Sequence, residues 1–202
     1  MLFALDQAAL LIIDVQKGFD NPTLGRRNNP QAEANIVRLL TCWRVQGWPI
    51  IHVWHHVTTP TPPSASFVPT LNASSHLTGT VCKDLVRPLS GEAIITKQTH
   101  SAFIGTNLES FLRQQQITTL VITGLTSNHC IETTTRMAGD LGFRGYFVAD
   151  ATATFDRTGP NGVLYRAEMI QEMTQANLHE EFAQVVTTDQ LLQESITCHD
   201  LG

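Results

Sequence analysis

Six apolar runs of strand length, separated by stretches with helical spacing, constrain this chain more than any other feature. The runs are residues 9–15 (ALLIIDV), 49–54 (PIIHVW), 93–97 (AIITK), 119–124 (TLVITG), 145–150 (GYFVAD) and the shorter 184–187 (QVVT). Several are continuously apolar rather than alternating, the pattern of strands buried on both faces of a parallel sheet. Parallel neighbours need long crossovers, and the intervening stretches supply them. In 31–46, Ile36, Leu39, Leu40 and Trp43 recur at three- and four-residue spacing, and Gly47 and Pro49 end the helix. Helices are also expected over 107–115, with Asn107 as cap, over 128–141, and over 167–183 as the longest. Such alternation predicts right-handed crossovers, a sheet covered on both sides and a three-layer α/β domain.

The chain's 202 residues are read as one domain, 1–202, large enough to bury a core without disulfides. Apolar residues make up 42% and charged residues 15%, which excludes a mainly disordered chain. A net charge of −5 argues against a partner that is nucleic acid or an anionic membrane. No run approaches the about 20 apolar residues that span a bilayer, and the N-terminus lacks a secretory pattern. Cys42, Cys82, Cys130 and Cys198 are scattered and form no CxxC, so a reducing, cytoplasmic location is expected. The Pro/Ser/Thr-rich residues 58–66 open a long connection that is either surface loop or site cover.

Ligands of open α/β sheets bind outside the carboxyl ends of the strands. There the first run ends at Asp14, the third at Lys97, and the fourth leads through a short turn to Cys130. Singly, these are a turn acid, a solvated lysine and a core thiol. Together they compose a nucleophilic site. Lys97 and the N-terminus of the following helix are expected to lower the thiol pKa. Asp14 accepts the thiol proton, returns it to a leaving amine, and pairs with Lys97. Backbone N–H groups before Cys130 face the oxyanion. Phe19, Trp54, His55 and Phe103 are the expected substrate-binding walls. Gln16 is either a polar anchor or a solvated side chain.

ALLIIDVQKGF, GEAIITKQTHSAFIGTNL, LVITGLTSNHCIETTTRMAGDLGF and VADATATF, in this order, resemble the isochorismatase-like cysteine hydrolases over nearly the whole chain. The resemblance implies a three-layer α/β/α sandwich with a six-stranded parallel sheet, and Asp14, Lys97 and Cys130 as catalytic triad, with no cofactor. It also implies a non-proline cis peptide at Leu125–Thr126, which aims the Thr126 N–H, with that of Cys130, at the oxyanion. The implied reaction is cleavage of a small-molecule amide or lactam C–N bond through a thioester. Family members are commonly dimers or tetramers, so a homodimer or homotetramer is expected. Nicotinamidases carry Asp-x-His after the second strand, where this chain has His52-Val53-Trp54-His55-His56-Val57, and Lys17-Gly18 replaces their Asn-Asp. Both departures argue against nicotinamide. In an extended segment His52, His55 and His56 do not converge, so no metal is expected; a metal-assisted, nicotinamidase-like amidase is the alternative. A further alternative is a non-catalytic ligand-binding or scaffold relative. The isochorismate-cleaving branch lacks the nucleophilic cysteine, so Cys130 argues against it. The absence of GxGxxG after the first strand argues against NAD.

Overall fold

The computed structural model describes Leu5, residues 7–56 and residues 80–197. Residues 58–66 and Cys198 lie outside these, so the site-cover expectation falls outside the described residues. Along the chain come β1 (Ala9–Ile13), α1 (Ala32–Gln46), β2 (Ile50–His55), β3 (Ala93–Lys97), α2 (Leu108–Gln114) and β4 (Thr119–Leu125). After a π-helical turn, Ser127–Ile131, follow α3 (Glu132–Asp140), β5 (Arg144–Ala153), β6 (Arg157–Thr158) and β7 (Leu164–Tyr165). The chain continues through α4 (Ala167–Leu178), β8 (Gln184–Val186) and α5 (Thr188–Thr197). The main sheet has the order β3-β2-β1-β4-β5-β8, every pair parallel. β6 and β7 form a small antiparallel hairpin.

The continuous apolar runs are explained by what covers each face. Leu11, Ile13, Ile51, Val53, Ile95, Leu120 and Ile122 pack with Leu108 and Leu112 of α2, Ala138 of α3 and Leu178 of α4. On the other face Leu10, Ile12, Ile50 and Val121 meet Ile36, Leu39, Leu40 and Trp43 of α1 and Leu191 of α5. Trp43 is buried, and its indole N–H donates to the Ala8 carbonyl at 2.8 Å, which satisfies its polar atom. Gly47 ends α1 in the left-handed conformation, φ 66°.

The chain moves outward from β1 to β2 and β3, then returns to the other side of β1 as β4. In open α/β sheets such a reversal marks where ligands bind, outside the carboxyl ends of the strands, here those of β1 and β4. There the backbones approach closely. A Cβ on Gly124 would sit 1.9 Å from the Ile13 carbonyl oxygen, and Gly124 has φ 122°. Only glycine fits that position.

Three local expectations need correction. α4 ends at Leu178, not 183, so α1, with 15 residues, is longer. The Leu178 carbonyl accepts from both Phe182 and Ala183 N–H, closing a turn into β8. Asn107 makes no side-chain cap; the Thr106 hydroxyl accepts the Leu108 N–H instead, at 3.2 Å. The helix expected over 128–141 begins as a π turn rather than as regular α-helix.

Candidate active site

Parallel pairing sets His55 opposite Lys97. Lys97 and Ile95 alternate inward on β3, while Ile94 and Thr96 are exposed. Asp14, just past β1, has φ 54°, a conformation that aspartate tolerates better than most residues. Its N–H bonds the Val53 carbonyl at 2.8 Å, so the turn stays anchored to β2. Cys130 lies in the π turn after β4.

The Lys97 ammonium stands at the centre of this group. Its Nζ lies 2.8 Å from Asp14 Oδ2 and donates to the Thr99 carbonyl at 3.0 Å and to Cys130 Sγ at 3.3 Å. His55 Nδ1 is 3.1 Å away. The Asp14 and Lys97 side chains are 1% and 0% exposed, which makes this a desolvated ion pair. Although Lys97 is close, neither Asp14 oxygen receives a well-aligned hydrogen bond. That leaves lone pairs on the carboxylate for a proton.

Burial is the largest single influence on Lys97 and lowers its pKa, but the charges of Asp14 and Cys130 and the hydrogen bonds to both together outweigh it, so the lysine is held above its ordinary value. For Cys130 burial pushes the thiol up, Asp14 adds to that, and Lys97 offsets only part. The sequence argument expected a thiol lowered by its surroundings. The difference is desolvation, which sequence spacing does not reveal. At rest, then, the sulfur keeps its proton and Lys97 its positive charge. His55 is pulled down to about 4 by burial first and the Lys97 charge second, so its ring is neutral near pH 7.

Asp14, His55 and Cys130 offer donor atoms within 4.8 Å of one another, a set that could in principle ligate a metal. The Lys97 ammonium already stands among those donors and supplies the positive charge that a metal ion would bring. The three histidines in and just after β2 do not converge. His52 bonds Glu92 at 2.8 Å on the face opposite His55, and His56 is exposed.

The expected pocket walls separate. His55 joins the ammonium. Phe19 packs against Ala32, Leu125 and Ala153 beside the turn to Cys130, and stacks on Phe155 at 6.5 Å. Phe103 is 8% exposed and stacks on Phe143 at 5.8 Å, within the core cluster that Cys130 also joins. Trp54 is half-buried and, by strand alternation, points to the face away from His55. Gln16 is neither a ligand anchor nor solvated. Its amide accepts from the His55 N–H at 3.0 Å and donates to the His55 carbonyl at 3.1 Å and the Thr80 carbonyl at 2.8 Å. It therefore continues the strand ladder past the end of β1. The Leu125–Thr126 peptide is cis, as the resemblance implies. Beyond the expected residues, His129 contacts Thr126 Oγ1 at 3.3 Å and meets His100 edge-on at 5.7 Å between ring centres.

The model of the isochorismatase domain family matches residues 8–190. The chain belongs to the isochorismatase family. It is 46% identical to the uncharacterized isochorismatase family protein YrdC of Bacillus subtilis, over 96% of this chain and 99% of that protein. Nicotinamidase 3 of Arabidopsis thaliana is 30% identical over 91% of this chain and 86% of its own length. Ureidoacrylate amidohydrolase RutB of Klebsiella variicola is 28% identical over 75% of each chain. Among solved structures, an isochorismatase-family protein of Chromobacterium violaceum superposes with a TM-score of 0.88 at 36% identity, covering 98% of this chain and 97% of its own. The family includes hydrolases that act on amides. Among the described residues no helix is long and apolar enough to cross a membrane.

Proposed function

We propose that this isochorismatase-family chain is a cysteine hydrolase that cleaves the C–N bond of a small amide or lactam through a thioester on Cys130. The observation that carries the reading is the Lys97 ammonium, 2.8 Å from Asp14 Oδ2 and 3.3 Å from Cys130 Sγ. In the reaction, Asp14 takes the thiol proton as Sγ bonds to the carbonyl carbon. Lys97 stabilises the sulfur's developing negative charge. The backbone N–H groups of Thr126 and Cys130 hold the oxyanion. Collapse of the tetrahedral intermediate breaks the C–N bond, and Asp14 gives its proton to the leaving amine. Water then attacks the thioester, losing a proton to Asp14, and the second collapse releases the acid and returns that proton to sulfur. General acid–base transfer of this kind contributes about 10²–10⁴-fold to the rate.

Phe19 and His55 are the expected walls that stay beside this centre. The similarity to a nicotinamidase and to ureidoacrylate amidohydrolases supports amides as the substrate class. A cytoplasmic homodimer or homotetramer remains the proposed working form. The test is a panel of small amides and lactams, including nicotinamide and ureidoacrylate, with amine or ammonia release followed for wild type and Cys130→Ala. Turnover that disappears in the variant supports the reading. Undiminished turnover removes the cysteine from the mechanism.

A further inference from the structure

The Lys97 ammonium has three N–H bonds and four acceptors in reach: Asp14 Oδ2 at 2.8 Å, the Thr99 carbonyl at 3.0 Å, His55 Nδ1 at 3.1 Å and Cys130 Sγ at 3.3 Å. Two of these change charge in the proposed reaction and two do not. A buried ammonium is drawn most strongly to the carboxylate. If it settled wholly on Asp14, it would leave the sulfur and bind the lone pairs that must take the thiol proton. Neutral acceptors on its other sides prevent that collapse.

We propose that His55 is a positioning residue, whose Nδ1 accepts from the Lys97 ammonium and holds it between Asp14 and Cys130. The proposal rests on the reading of Lys97 and Cys130 as a reacting pair. The fold builds His55 for this role. Its Cα is the register partner of Lys97. Its backbone is clamped on both polar atoms by the Gln16 amide. The residue is 8% exposed. Accepting at Nδ1 requires an unprotonated Nδ1, with the ring proton on Nε2. Burial and the facing Lys97 charge keep the ring neutral. Asp14 pulls the other way, while His100 and His56 add to the lowering.

Gln16 and His55 thus form one device. The glutamine fixes the end of β2, and the imidazole fixes the ammonium. A side chain serving only as pocket wall would need neither the clamp nor a free Nδ1.

Two measurements test this without any substrate, so their failure is separate from failure of the amidase reading. The first is the rate of iodoacetamide alkylation at Cys130, read by peptide mass, in wild type, His55→Leu and His55→Asn. Losing the ammonium from the sulfur raises the thiol pKa, and one unit slows thiolate chemistry about tenfold at a pH below the pKa. His55→Leu should therefore be slowed about tenfold. His55→Asn, whose Oδ1 sits near the Nδ1 position, should recover most of the rate. Wild-type reactivity in His55→Leu overturns the proposal. Equal slowing in both variants also does, since it would make packing rather than the acceptor responsible.

The second measurement needs no variant. Imidazole nitrogen NMR of the unmodified protein near pH 7 should show His55 with its proton on Nε2. A proton on Nδ1 overturns the proposal, because a donor there cannot accept from Lys97.

Discussion

Replacing Asp14 by asparagine should separate two properties that usually fall together: the enzyme becomes slower, and its cysteine more reactive. The carboxylate and Cys130 Sγ lie within 4.8 Å of each other. At that distance two unit charges interact by about 3.5 kcal/mol for an effective dielectric of about 20, or about 2.5 pKa units. Asp14 is among the causes that hold the thiol up, second only to burial, while Lys97 pulls it down. Asp14→Asn removes the first charge and leaves the second without its partner. The thiolate then becomes the natural counter-ion of the ammonium. The asparagine amide recovers part of the polar environment, so a fall of about one to two units is expected. Alkylation of Cys130 by iodoacetamide at neutral pH should speed up about tenfold or more. Amide turnover should fall by about 10²–10⁴, because the proton acceptor is gone. The melting temperature should also drop, since removing one partner of a buried ion pair typically costs about 3–5 kcal/mol. The assay is the pH dependence of alkylation, read at the Cys130 peptide. A thiol that alkylates no faster in Asp14→Asn, in protein that is still folded, would refute this electrostatic account.

Other perturbations have equally definite outcomes. Gly124→Ala drives a Cβ to 1.9 Å from the Ile13 carbonyl oxygen, so a loss of more than about 3 kcal/mol is expected in denaturant unfolding. Phe103→Ala should cost about 3–5 kcal/mol as a core truncation, and thermal melting should register it more strongly than KM. For Glu33, burial alone would raise the pKa, but hydrogen bonds from Arg27 and Lys83 win and hold it down to about 2 from an ordinary 4.5. A depressed carboxyl stabilises the fold above its unfolded pKa, so that contribution should vanish as pH falls from 4.5 toward about 2. Melting curves across this window should show the decline in wild type and a flatter profile in Glu33→Gln.

The sheet was legible because burial on both faces leaves an unbroken signal: LLII and LVIT have no polar face to lose. Its strand order was not legible, since apolar runs do not say which neighbours pair; it came only with the structure. Asp14, Lys97 and Cys130 stood out because each lies where a strand exits. What failed to show depends on direction and solvation. Trp54 and His55 are adjacent in sequence, yet strand alternation sends them to opposite faces. Phe103 follows Lys97 closely, but its ring turns into the core to meet Phe143. Gln16 looks like any polar loop residue, and its ladder-like bonds to His55 come from a segment 39 residues away. The thiol's elevation arises from burial, which no spacing encodes. The β6–β7 hairpin, with two residues in each strand, is too short to announce itself.

The central claim is covalent chemistry at one sulfur, and rapid-quench mass spectrometry during turnover of any amide this protein hydrolyses tests it most directly. The account predicts a transient mass gain equal to the substrate's acyl group, mapped to the peptide containing Cys130 and decaying as product acid appears. Steady turnover with that peptide unmodified at every time, and with hydrolysis persisting in Cys130→Ala, would contradict it.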